Sequence, residues 1–180
     1  MTQEIRIPND RIGAIIGKGG ETRRELEETL NVTLEIDSQT GIVSITNEED
    51  VLAEIRSIDI IKAIGRGFSP ERARKLLEDD EMVLDLIDIS DAADTPQKLA
   101  RIRGRIIGRN GKAREQIENM TGTEISVYGK TVGIIGLTDQ VLDAHTAVSM
   151  LINGSDHNSV FNYLDRKRKD AKMDMLNYYY

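Results

Sequence analysis

The 180-residue chain has no cysteine and no tryptophan. Without thiols there is no disulfide staple, no thiolate zinc site and no cysteine nucleophile. Aromatic residues make up only 4% of the composition, so the core has to be built from Ile, Leu, Val, Ala and Met. Long apolar runs are missing as well, and nothing approaches the roughly 18–20 residues of a membrane span. The opening Met1-Thr2-Gln3-Glu4-Ile5-Arg6 lacks the layout of a signal peptide. The expectation is a soluble, cytoplasmic chain with no membrane partner. The two histidines, His145 and His157, stand apart from other metal donors, the first as a half-buried packing residue of a helix and the second as a loop or cap residue. Acidic runs such as Glu78-Asp79-Asp80-Glu81 read as solvated turns. No metal site, cofactor or catalytic group is expected, and therefore no enzyme.

The net charge of −7 is at first sight wrong for a nucleic-acid binder. It is unevenly spread. Residues 1–95 carry 11 basic and 22 acidic side chains, whereas residues 96–180 carry 13 basic and 9 acidic. Between Lys98 and Arg114 the sequence is KLARIRGRIIGRNGKAR, with seven basic residues and no acid. Charges farther away than a screening length of about 8 Å matter little at physiological salt, so a local basic patch can bind phosphate on an acidic protein.

A repeat organises the chain. Ile15-Ile16-Gly17-Lys18-Gly19-Gly20 returns 91 residues later as Ile106-Ile107-Gly108-Arg109-Asn110-Gly111, and Arg23 and Leu26 return as Arg114 and Ile117. Each copy is followed by two short β-branched runs separated by turn residues, at 32–36 and 42–45 and again at 124–128 and 131–135, which predicts a hairpin each time. A helix is predicted after each hairpin, over 49–64 and 138–153. Upstream of each glycine motif the pattern gives a strand and a helix, 3–8 with 10–16 and 82–89 with 96–106, the latter with Thr95 as N-cap and Pro96 at the first position. Each unit reads strand, helix, Gly-x-x-Gly, helix, strand, strand, helix. Ser69 and Pro70 start a short helix between the units that runs to about residue 78. A last helix is expected over 158–176, docked through Val160, Phe161, Leu164, Ala171 and Met175, with the basic cluster Arg166 to Lys169 and then Tyr178-Tyr179-Tyr180.

Gly-x-x-Gly between two helices suits a nucleotide-backbone clamp. Glycine has no Cβ, so a sugar-phosphate chain can come close. The second helix opens at the loop, and its free N–H groups and positive dipole end face the phosphates. The middle residues add charge or donors, Lys18 and Gly19 in one copy and Arg109 and Asn110 in the other. This arrangement is that of KH domains, which hold about four single-stranded nucleotides. Arg101, Arg103 and Arg105 precede the second loop and are expected on phosphate. Other glycine motifs fail. Gly129-Lys130-Thr131 has Glu124 where a P-loop needs its first glycine, and Gly65-Arg66-Gly67 continues into Phe68-Ser69-Pro70 rather than a dinucleotide fingerprint. The fold expectation is α+β: two tandem type I KH domains (β-α-α-β-β-α) joined by a short helical linker, plus a C-terminal helix. The boundaries are 1–65, 66–81, 82–154 and 155–180.

Three strings go beyond a generic KH domain. Ala63 to Glu71 (AIGRGFSPE), Arg103 to Lys112 (RGRIIGRNGK) and Ile125 to Val132 (ISVYGKTV) resemble the archaeal two-KH-domain small-subunit ribosome assembly factors, whose eukaryotic relative is the partner-of-Nob protein. The resemblance spans nearly the whole chain. It implies binding to the 3′ end region of small-subunit ribosomal RNA during pre-rRNA processing, beside the Nob endonuclease and with the alpha subunit of initiation factor two. Carried over by position, the RNA-binding residues are Gly108, Arg109, Asn110, Gly111, Lys112 and Arg114 with Arg105, Arg103 and Ile107, and Gly17, Lys18, Gly19, Gly20 and Arg23 in the first unit. One departure stands out. The helix after the first loop carries Glu21, Glu25, Glu27 and Glu28, which works against phosphate. The alternative is a protein-interaction scaffold in which one or both KH domains do not bind RNA.

Overall fold

The structure is a computed structural model that describes residues 2–47 and 49–180. The chain divides into two compact units, Met1–Leu84 and Asp85–Tyr180. The first contains β1 (Thr2–Arg6), α1 (Asn9–Ile16), α2 (Glu21–Leu30), β2 (Thr33–Asp37), β3 (Ile42–Thr46) and α3 (Val51–Gly65). A short α4 (Pro70–Ala73) then tightens into a 3₁₀ turn, Arg74–Leu77. Ser69 Oγ accepts from Arg72 N–H and Pro70 sits in the first turn, as the sequence implies. β4 (Met82–Asp88) crosses the boundary between the units. The second unit continues with α5 (Pro96–Ile107), α6 (Lys112–Thr121), β5 (Glu124–Tyr128), β6 (Thr131–Leu137), α7 (Thr138–Ile152) and α8 (His157–Tyr179).

The two sheets have the same plan. Strand order is β1-β3-β2 in one and β4-β6-β5 in the other, so the strand that follows the glycine loop is an edge both times. The hairpins are antiparallel, with Leu34 opposite Ile45 and Ile125 opposite Ile134. Helices pack on the sheet through matched positions. Ile15, Leu26 and Leu34 are fully buried in the first unit, and Ile106, Ile117 and Ile125 take their places 91 residues on. The last helix of each repeat closes the core, α3 through Ile60, Ile61 and Ile64, α7 through Ala144, Ala147, Val148 and Leu151. This is the strand-helix-helix-strand-strand-helix order predicted from the repeat, with two type I KH units and a C-terminal helix.

An arginine ties the first helix to the end of the last one in each unit. Arg11 on α1 donates from Nε to Ile64 O and from a terminal nitrogen to Phe68 O, both at 2.9 Å. Arg105 on α5 donates to Ser155 O just past α7, and His157 Nε2–H donates to Arg105 O at 2.7 Å. These bonds tie the start of each unit's first helix, or its end, to the backbone at and just beyond the end of its last one.

Two expectations change. α8 docks through its beginning only: Val160 and Leu164 are buried, whereas Ala171 and Met175 are exposed. The apolar spacing continues past the body, but the body does not. His145 is also more exposed than a packing residue, with 46% of its side chain accessible and Nδ1 2.6 Å from Asp85 Oδ2. Among the described residues no helix is long and apolar enough to cross a membrane.

Candidate nucleic-acid interface

The two glycine loops have nearly the same backbone. In the first, Gly17 has φ 71° and ψ 178°, Gly19 φ 61° and ψ 21°, and Gly20 φ 76° and ψ 13°. In the second, Gly108 has φ 72° and ψ 179°, Asn110 φ 55° and ψ 27°, and Gly111 φ 75° and ψ 8°. Asn is the residue other than glycine that enters this left-handed region most readily, which is why Asn110 can stand where Gly19 does. The first glycine of each loop is fixed sterically too. A Cβ on Gly17 would lie 2.1 Å from Thr22 Oγ1, and one on Gly108 would lie 2.5 Å from the Ala113 Cβ and 2.8 Å from its backbone nitrogen. The closures repeat as well: Gly17 N–H to Gly13 O at 2.9 Å and Gly108 N–H to Gly104 O at 2.8 Å.

The loops end in left-handed N-caps, Gly20 and Gly111, and no side chain caps α2 or α6. The first N–H of each helix closes the loop, Glu21 onto Lys18 O and Lys112 onto Arg109 O, and no side-chain cap competes with an anion for those that follow. The second glycine sits beside a guanidinium in both copies. The Arg24 side chain lies 3.9 Å from the place of a Gly20 Cβ, and that of Arg114 lies 3.9 Å from the place of a Gly111 Cβ. Lys18, Gly19, Arg109, Asn110 and Lys112 are exposed, and Ile16 and Ile107 are half-buried behind them. One turn upstream, Gly13 and Gly104 have no atom within 4 Å of a Cβ position. A glycine inside a helix costs about 1 kcal/mol relative to alanine, so a repeated one on an open face suits close approach of a ligand.

Behind each loop lies a carboxylate lock. Glu27 Oε1 accepts the Leu34 N–H at 2.8 Å and lies 3.5 Å from Arg23 Nε. Glu118 accepts the Ile125 N–H at 2.9 Å, and Arg114 donates to its other oxygen at 2.9 Å. The second helix of the clamp is thus fastened to the edge strand in both units. Arg114 serves lock and loop together, whereas Arg23 serves the lock and Arg24 the loop.

The structure therefore distributes the predicted residues as follows. Gly17 to Gly20 form one loop, and Gly108 to Gly111 with Lys112 and Arg114 form the other. Arg23 is turned to Glu27, and Arg105 to Ser155. Arg103 is half-buried on α5. Lys98, the start of the acid-free run, pairs with Asp94 at 2.9 Å and holds that carboxyl below its ordinary pKa by its hydrogen bond and its charge. Arg24, Gly13 and Gly104 and the two locks were not singled out from the sequence. The glycines and glutamates all repeat at the same 91-residue offset, so their signal was present. Arg24 has Glu115 at its offset, so only folding reveals its place.

The electrostatics of the two clamps differ. Around the second loop stand Arg109, Lys112 and Arg114, with Glu115 one turn into α6. Around the first stand Lys18 and Arg24, with Glu21 at the first position of α2.

Two left-handed glycine loops, each opening an uncapped helix beside an antiparallel three-strand sheet, define a tandem KH protein of type I. Comparison with known proteins agrees. A family model described as the eukaryotic type KH domain, KH type I, matches residues 83–169, and the general KH domain matches residues 2–59. A KH domain-containing protein of Methanocaldococcus jannaschii is 44% identical over 171 residues, covering 93% of this chain and 74% of the relative. The pre-rRNA-processing protein PNO1 of Chaetomium thermophilum is 29% identical over 91% of this chain, which spans 64% of that relative. Among solved structures, Dim2p from Pyrococcus horikoshii superposes with a TM-score of 0.86 at 47% identity, covering 92% of this chain and 99% of that one. A chain in the a/eIF2alpha–aDim2p–rRNA complex of the same organism gives 0.88 at 48% identity, covering 94% and 95%. The chain belongs to the Dim2p and PNO1 family of two-KH-domain ribosome assembly factors.

Proposed function

We propose that the chain is a single-strand RNA-binding factor of small-subunit ribosome assembly, and that Gly108 to Gly111 is its principal clamp. The observation that carries this reading is the gathering of Arg109, Lys112 and Arg114 around the uncapped start of α6. Phosphates take the α6 N–H groups and the three cations, while the open helix face at Gly104 lets the strand lie close. The protein holds RNA and leaves cutting to another protein. The 3′ end region of small-subunit rRNA is the target, in the cytoplasm, with the Nob endonuclease and the alpha subunit of initiation factor two as partners. The a/eIF2alpha–aDim2p–rRNA complex formed by a 48% identical relative supports the RNA and initiation-factor parts of this reading. The working domains are 1–65 and 82–154, with 66–81 as connector and 155–180 as C-terminal helix and tail.

The exposed carboxylates Glu21, Glu25 and Glu28 on α2 favour a protein-contact role for the first unit. Both parts are tested by binding a short strand from the rRNA 3′ end at two salt concentrations, with folding checked. Arg109→Asp/Asn110→Asp is expected to abolish binding and Lys18→Asp/Gly19→Asp to leave most of it. If about six phosphates are held, log affinity falls with log salt at a slope near −4. A flat salt response, or indifference to the second pair, would sink the proposal.

A further inference from the structure

The chain has a basic surface that the clamp does not use. α8 is 23 residues long, about 34 Å at the usual rise. Only its beginning is buried, through Val160 and Leu164, and every residue from Asp165 onward is exposed. The exposed part carries Arg166, Lys167, Arg168, Lys169 and Lys172. At 3.6 residues per turn, Arg168, Lys169, Lys172 and Tyr179 fall within an arc of about 100°. Asp170 and Asp174 fall on the opposite side of the helix. Asp165 is the acid on the basic face, and it sits at the body end, held by Lys169 at 2.9 Å. Lys167 faces another way, over the Tyr163 ring at 5.9 Å.

We infer that the projecting half of α8 is a second RNA contact, in which Arg168, Lys169 and Lys172 grip the phosphate backbone of the same molecule beyond the segment held at Gly108 to Gly111. The inference rests on the RNA reading of that loop. The root of α8 supports it. α8 packs on α6 and α7, and α6 is the helix that opens at the loop. Its start is fastened to α5, on the other side of the loop, by the Arg105–Ser155 and His157–Arg105 bonds. Clamp and arm are therefore parts of one unit, and the arm reaches about 22 Å past its last buried turn. A face of cations with Asp170 and Asp174 turned away, and with Asp165 only at its root beside Lys169, matches the regular negative charge of a nucleic-acid backbone. Tyr179, 77% exposed in line with the cations, offers a ring on which a base can stack.

The test uses the full chain and two single strands from the rRNA 3′ region, one of about five nucleotides, enough to fill the clamp alone, and one of about twenty. Arg168→Gln/Lys169→Gln/Lys172→Gln should leave the short strand unaffected. It should weaken the long strand at least about fivefold at 0.15 M salt and lower its log–log salt slope by roughly 2, for three lost contacts at about 0.7 each. Arg166→Gln/Lys167→Gln, which removes two charges of the same sign from outside that arc of the helix, should leave it largely unchanged. Circular dichroism confirms that each variant keeps its helix content. Equal losses on both strands would reduce the effect to overall charge and overturn the arm. Unchanged binding of the long strand would also overturn it and assign the face to a protein. If the wild-type chain binds the short strand and gains nothing from the long one, the arm fails and the clamp stands. If it binds neither, the underlying RNA reading fails first.

Discussion

The two units hold the same loop in different electrical surroundings. Residues 1–84 carry 11 basic and 18 acidic side chains, and residues 85–180 carry 13 of each. Yet the loop dihedrals agree to within about 6° at the matching positions, Gly17 with Gly108, Gly19 with Asn110, and Gly20 with Gly111. Backbone shape follows from where glycine or Asn can take a positive φ and where a Cβ has no room. Charge is written on other positions, and it is reversed where α2 and α6 begin. Glu21 and Arg24 in one unit correspond to Lys112 and Glu115 in the other at the 91-residue offset. A clamp can therefore be kept as a shape while its affinity for phosphate is set independently.

The comparison breaks most easily through the cores beneath the loops. Ile15→Ala and Ile106→Ala each empty a fully buried site and should each cost about 2–5 kcal/mol. Chemical denaturation followed by amide exchange in each unit will show whether each loss stays in its own unit. Equal spread of the loss through both would mean that they unfold as one.

A charge exchange sharpens it. Lys112→Glu should weaken binding of single-stranded RNA by about 1 kcal/mol, roughly fivefold, since a cation at an anion-binding helix start becomes an anion. Glu21→Lys should raise affinity, because the loop geometry of the first unit is already in place. Titration of both variants against the same strand decides it. If Glu21→Lys gains nothing, the first loop is closed to RNA for a reason other than charge.

The locks give a smaller effect. Glu27→Gln and Glu118→Gln each weaken a charged hydrogen bond from an edge-strand N–H, and a loss of about 1 kcal/mol is expected in each. Thermal unfolding measures it. The second should be the larger, because Arg114 donates to Glu118 at 2.9 Å whereas Arg23 lies 3.5 Å from Glu27.

Acid gives the smallest difference. Asp37 in the β2–β3 turn is held below the ordinary carboxylate pKa by the Thr40 side chain and by the N–H groups of Gln39 and Thr40. Asp156, which caps α8, is held below it by Ser159, and to a lesser degree by His157 and Arg105. Both are depressed in the folded state, so both contributions are complete above the ordinary value of 3.8 and fade as pH falls below it. Amide exchange at Gln39 and Ser159 should be unchanged between about pH 6 and 5 and accelerate, relative to neighbouring amides, only below about 4. Acceleration already at pH 5 would contradict the direction of both shifts.

The order of elements was readable because it depends on local pattern: alternation in the hairpins, the Thr95-Pro96 start, the recurring glycines. The loops were readable for the same reason and because they occur twice. What stayed hidden depends on partners distant in the chain. Arg105 sits in the run expected to meet phosphate, but its partner is Ser155, fifty residues on. Arg11 reaches Ile64 and Phe68 across similar distances. Met175 continues the spacing of Val160 and Leu164, and periodicity alone cannot tell that the surface beneath it has ended. His145 looked like a packing residue because Asp85, its partner, comes 60 residues earlier.

The carboxylate locks also bear on how the protein behaves in a crowded solution. β2 and β5 are edges, and an edge strand with free N–H groups is a template on which a foreign strand can add. Leu34 and Ile125 direct their N–H groups away from their sheets, and these are the donors that Glu27 and Glu118 occupy. An incoming strand would have to displace a carboxylate before its first rung formed. The same two glutamates that fasten the clamp helices thus obstruct strand addition at one margin of each sheet, β2 and β5.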